Sequence, residues 1–160
     1  MYKFEKLEVW KLALEYLDLI YSLSECLPRE EDFNLKSQMR RAATSIALNI
    51  AEGSTGQTDA EQARFIGHAI RSLTEVVACQ RIISRRKYSI DPEQAKRADE
   101  IGLTLVRKLQ AMRNALDPTR KWVREDVEQY VHDEGASPRE PAPLVREFDL
   151  ERSANDDSGE

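Results

Sequence analysis

The residues whose types and spacing could do chemistry lie close together in the stretch Gln38–Gly53, QMRRAATSIALNIAEG. On a helix, Gln38, Arg41, Ser45, Asn49 and Glu52 recur every three or four residues and share one polar stripe. A carboxylate, a guanidinium and an amide on one stripe are the raw material of a charge-stabilising site. They lack a nucleophile with its base. His68 has no Ser, Cys or Asp partner placed beside it by spacing, and His132 lies far along the chain. No Glu-x-x-His pair of the kind that holds two metals in a helical bundle occurs. Cys26 and Cys79 stand alone, without a CxxC or a His at metal spacing, and read as two buried reduced thiols. The expectation is therefore no catalytic residue, no metal, no cofactor and no small-molecule substrate: the chain is not an enzyme.

A structural use of the stripe fits better. Glu52 in a last helical turn faces the negative end of the helix dipole unless it accepts hydrogen bonds. It is expected to clasp the following turn together with Asn49. Arg41 is expected to pair with Glu75, and Ser72 to join the same network across two helices. A second group, Arg81, Arg85, Arg86 and Lys87, with Arg40 added, could bind phosphate. A solvated helix end is the plainer reading of that group.

These residues need helices to hold them. Helix one is expected from about Glu5 to Leu27 with two apolar faces. Trp10, Ala13, Leu14, Leu17, Ile20 and Tyr21 form one, and Val9, Leu12, Tyr16, Leu19 and Leu23 the other. Two such faces call for two partners, or for a partner helix and a neighbouring subunit. Pro28 ends this helix. Helix two starts near Leu35, with Asn34 as N-cap, and stops at Gly53, read as a left-handed C-cap. Its other stripe, Met39, Ala42, Ala43, Ile46 and Ile50, is apolar. Thr58 and Glu61 make a capping box that opens helix three, which runs to about Lys87. Gly67 in its middle means either close approach of a neighbour or simple tolerance. Asp91 as N-cap and Pro92 at the first position open helix four, which runs to about Leu116. Short connections then favour an all-α, antiparallel, up-down-up-down four-helix bundle over residues 1–117.

Charge divides the chain. Residues 1–117 carry 18 Lys and Arg against 17 Asp and Glu, whereas residues 118–160 carry 6 against 12. The folded part is near neutral, which argues against a strongly basic nucleic-acid-binding domain. The acidic tail has a short amphipathic segment at 119–133, with Trp122, Val123, Val127, Tyr130 and Val131. From Gly135 onward, with Pro138, Pro141 and Pro143, it reads as disordered. No signal-peptide core opens the chain and no apolar run approaches a membrane span, so a soluble cytoplasmic protein is expected.

Several motifs occur in a fixed order. They are Phe4-x-x-Leu7-x-Val9-Trp10-Lys11, then Gln38-x-x-Arg41-Ala42-Ala43-x-Ser45-Ile46, Asn49-Ile50-Ala51-Glu52-Gly53, and Ser72-Leu73-x-Glu75. Together, over roughly residues 4–116, they resemble the bacterial 23S rRNA intervening-sequence proteins, named from reading frames within inserts in 23S rRNA genes. The resemblance implies a four-helix bundle assembled as a ring-like homopentamer, and no established activity. That family is similar in fold to the accessory proteins of diversity-generating retroelements, which bind a reverse transcriptase and nucleic acid. The leading expectation is a non-enzymatic, self-assembling interaction scaffold for a protein or ribonucleoprotein partner. The alternative is a nucleic-acid-binding accessory protein, associated with rRNA or a reverse transcriptase, that uses the basic end of helix three.

Overall fold

In a computed structural model, residues 2–56 and 58–118 are described. They lie within one compact unit, Met1–Trp122, and the tail segments expected above lie outside the described residues. Among the described residues the structure is all α, with four helices: α1 (Glu8–Glu25), α2 (Leu35–Gly53), α3 (Asp59–Arg86) and α4 (Pro92–Leu116). Each helix packs on the next, and α1 packs on α4. A core of Ala13, Tyr16, Ile20, Met39, Ile46, Ile50, Ile66, Val76, Leu105 and Leu109 is shut from solvent between them. None of the helices is long and apolar enough to cross a membrane.

The helix starts follow local chemistry. The Thr58 hydroxyl accepts from the Glu61 N–H at 3.1 Å, and the Asp91 carboxylate accepts from the Glu93 N–H at 3.1 Å with Pro92 in the first turn. Two other ends differ from expectation. Residues Lys3–Lys6 form a separate 3₁₀ turn and Leu7 is extended, so α1 begins at Glu8. This turn folds Phe4 back onto Trp10, edge to face with ring centres 4.9 Å apart. Asn34 makes no capping bond: its side chain donates to Glu31 at 2.9 Å, and Glu31 itself accepts from the Leu35 N–H.

The glycines also change places. Gly53 is the last helical residue of α2 and not a left-handed cap. A Cβ there would meet the Cβ of Phe65 at 2.9 Å, so Gly53 is a point of close approach between α2 and α3. A Cβ at Gly67 would find only the Arg113 guanidinium at 3.8 Å, which is ordinary contact, so that glycine is tolerated and not required. The close approach on α4 is Gly102, whose Cβ would sit 3.2 Å from the Tyr16 hydroxyl. That phenol is buried and donates to Gln80 at 3.1 Å. Burial first, then the nearby Asp99 carboxylate, push its pKa well above the ordinary tyrosine range. Positive φ occurs at Lys87, which ends α3 at φ 58° with the Tyr88 N–H reaching back to the Ile83 carbonyl.

Candidate functional site

The polar stripe of α2 lines an open trough of about 640 Å³ that runs along the outside of the helix. The trough holds Arg41, Ser45, Asn49 and Glu52, joined by Lys36, Arg40, Tyr21 and Phe33. It opens toward a second, more apolar hollow of about 630 Å³ between α1 and α2, and Tyr21, Thr44 and Leu48 line both. Trp10, Leu14, Leu17 and Phe4 close the far end of that hollow.

Part of the expected network exists. The Ser45 and Ser72 hydroxyls lie 2.9 Å apart, bridging α2 and α3. Asn49 donates to the Ser45 carbonyl at 2.7 Å and to its hydroxyl at 3.0 Å, and Ser72 donates to the His68 carbonyl at 3.1 Å. The rest is arranged otherwise. Arg41 and Glu75 are both exposed and make no ion pair with each other: Arg41 lines the trough, while Ser45 of its stripe reaches across to α3. Gln38 is exposed on the same side. Glu52 is exposed, and its carboxylate takes no hydrogen bond from a described residue. The turn after Gly53 is instead closed by two hydroxyls: Ser54 donates to the Ala51 carbonyl and Thr55 to the Glu52 carbonyl, each at 2.7 Å.

The basic group is partly committed inside the protein. Arg81 pairs with Asp99 at 3.0 Å. Arg40 bonds the Ser24 hydroxyl at 2.7 Å, pairs with Glu25 and lies 5.0 Å from the Tyr21 ring centre. Arg86 donates to the Tyr88 hydroxyl at 3.3 Å. Arg85 and Lys87 are exposed and make no ion pair among the described residues. Cys79 is buried, which raises its thiol pKa, but Cys26 is exposed at the end of α1. The described residues contain no cluster of His, Cys, Asp or Glu suited to a metal.

Two features were not singled out from sequence. Glu31 is buried in the connection from α1 to α2 and accepts from the Tyr88 hydroxyl at 2.6 Å, from Asn34 and from the Leu35 N–H. The Tyr88 bond leads these in holding its pKa below the ordinary carboxylate range. Two residues on, Phe33 is fully exposed, at 100% of its free surface. A lone aromatic in the polar connection PREEDFN suggests an anchor for that connection, yet the structure leaves Phe33 in solvent.

No curated protein sequence matches the chain. Among solved structures it is similar to a protein of unknown function from the S23 ribosomal protein family of Bacteroides thetaiotaomicron, with 24% identity and a TM-score of 0.59. That likeness covers 65% of this chain and 96% of the other, and it bears on the fold alone. The family model for the 23S rRNA-intervening sequence protein matches residues 5–111, a span that takes in α1, α2, α3 and most of α4. The motifs on α1, α2 and α3 and the four packed helices thus meet in one conclusion: the chain belongs to the 23S rRNA-intervening sequence protein family.

Proposed function

We propose that the protein is a non-enzymatic, self-assembling scaffold, whose helices run up-down-up-down and whose copies join through the outer face of α1 and α2. The helix directions are supported by pairs that run in opposite order along neighbours. Glu8 meets Lys108 while Glu15 meets Arg97, and Ser45 meets Ser72 while Gly53 meets Phe65.

The observation that carries the assembly is the uncharged run Ala42–Ala51 on a helix with one side in solvent. A solvated helix face normally carries charges. Here Leu48 is 61% exposed and continues, through Tyr21 at 40%, into Leu17, Leu14, Trp10 and Phe4 on the α1 side. Exposed apolar surface of this continuity marks an interaction site. In this reading the copies form a ring of five in the cytoplasm, the number being carried over from the family resemblance.

Mass measurement by light scattering over a range of concentrations tests this reading. The expected mass is five times that of one chain. A single-chain mass at every concentration would remove it.

A second reading has one observation in its favour. Arg85 and Lys87 are exposed cations without ion-pair partners among the described residues, so the end of α3 could take phosphate from an RNA. Arg40 and Arg81 contribute less, being paired already. Binding to structured RNA that falls steeply with added salt would support it, and no binding even at low salt would end it.

A further inference from the structure

The corner that joins α1 to α2 carries three acids, Glu30, Glu31 and Asp32, followed by Phe33. Two of the acids are used within the chain. Glu31 is held by Tyr88, Asn34 and Leu35, and Asp32 pairs with Lys36 at 2.6 Å. Glu30 is exposed and has no ion pair among the described residues, and Phe33 touches solvent on all sides. The 3₁₀ turn Arg29–Glu31, tied to Tyr88, thus presents the Glu30 carboxylate beside the exposed Arg29, and two residues on from the turn the Phe33 ring stands at the edge of its own chain's trough.

The trough has the complementary pair. Of its three cations, Lys36 is paired with Asp32 and Arg40 with Glu25, and Arg41 has no ion pair among the described residues; Glu52, further along the helix, is the trough's exposed acid. About one turn further along the same helix face comes Thr44 and about two turns further the apolar Leu48, with Tyr21 across from them. One chain thus displays an unpaired acid next to an unburied aromatic, and an unpaired base next to an unfilled apolar hollow.

We propose that the occupant of the trough is the Glu30–Phe33 corner of a second copy of this chain. Phe33 of one copy seats against Tyr21, Thr44 and Leu48 of another, and Glu30 faces Arg41 there. This rests on the self-assembly reading and names its contact. Each copy owns one projection and one seat, so the contact is either exchanged within a pair or handed on around a closed ring. An aromatic anchor in a pocket, with a charge pair at its rim, is the arrangement that concentrates binding energy in a few residues.

The test is light scattering on the full chain, with helical content followed by circular dichroism. Phe33→Ala should keep the helices intact, since the ring is fully exposed among the described residues, and should weaken assembly by at least about tenfold. Arg41→Glu should weaken it too, and adding Glu30→Arg to the same chain should restore it by reversing the pair. In a Cys26→Ser background, a Phe33→Cys chain mixed with a Leu48→Cys chain should be joined by a short bis-maleimide. Assembly by wild type that survives Phe33→Ala unchanged overturns the docking while the scaffold reading stands. So does cross-linking of the Phe33→Cys chain to itself and not to the Leu48→Cys chain. Failure of the charge reversal to restore assembly overturns the Glu30–Arg41 contact. A wild type that is a single chain throughout overturns both this inference and the scaffold.

Discussion

The hydroxyl of Tyr88 donates a 2.6 Å hydrogen bond to Glu31, 57 residues earlier, and so ties the turn between α3 and α4 to the connection between α1 and α2. The same carboxylate also takes the Asn34 amide and the first N–H of α2. One buried acid thus organises the end of the protein from which Phe33 projects.

Replacing Glu31 by Gln should lower stability by about 1–3 kcal/mol at neutral pH, because one of its acceptor sites becomes a donor facing donors. The carboxyl is held below its ordinary pKa in the folded state. Its contribution is therefore complete above the unfolded value, about 4.3 for a glutamate, and is lost as pH falls through the folded value. Wild type should lose stability over that acid range, and Glu31→Gln should lose less. Urea melts at several pH values would check both. Parallel losses in the two proteins would contradict the assignment.

The two helical glycines on either side of the α2–α3 turn should respond with opposite sign. Gly53→Ala forces a methyl to 2.9 Å from the Phe65 Cβ, an atom fixed by the backbone of α3, and should cost about 1–3 kcal/mol. Gly67→Ala meets nothing nearer than 3.8 Å and should gain up to about 1 kcal/mol from helix propensity. Thermal melts of the two variants distinguish them directly.

Lys87 adopts the left-handed conformation that ends α3, a geometry that disfavours any side chain with a Cβ. Lys87→Gly should raise stability by about 0.5–1 kcal/mol. A loss would mean that the lysine side chain contributes something that the described contacts do not contain. The same variant removes one free cation from the end of α3, so an RNA-binding assay on it addresses the second functional reading as well.

Ser45 and Ser72 share one hydrogen bond across α2 and α3. Ser45→Ala alone leaves one acceptor of Asn49 missing and should cost about 1 kcal/mol. A double-mutant cycle with Ser72→Ala should show coupling of about 0.5–1 kcal/mol, the pair costing less than the sum. Strict additivity would mean that the 2.9 Å contact contributes nothing of its own.

What was legible in the sequence was local. Thr58, Glu61, Asp91 and Pro92 start helices by contacts within one turn, so their types and spacing suffice. The apolar stripe of α2 points inward as its period requires, with Met39, Ile46 and Ile50 all shut from solvent. What escaped was set by distant partners. Gly53 resembles a helix stop by position, yet its role comes from Phe65 on another helix. Arg41 and Glu75 have the right charges, but the rotation of α2 about its axis turns Arg41 to the trough, and Glu75 on α3 is exposed as well. That rotation is decided by how the small residues Ala42, Ala43 and Ala47 nest in the core, a three-dimensional fit that periodicity does not contain. Phe33 was visible as a lone aromatic in a polar connection. Its outward direction depends on Tyr88 holding Glu31, a contact between segments far apart in the chain.

The Tyr16–Gly102 contact lies where α1 meets α4, the most lightly packed of the four helix pairs. The ion pairs across that line, Glu8–Lys108 and Glu15–Arg97, are solvent-exposed and contribute little. Partial opening of the protein is therefore expected to begin there, with the first and last helices parting while α2 and α3 remain together. In hydrogen exchange, the amides of the α2–α3 pair should outlast those of α1 and α4. The Tyr16 phenol, out of reach of solvent in the closed form, should be uncovered by that motion before the protein as a whole unfolds.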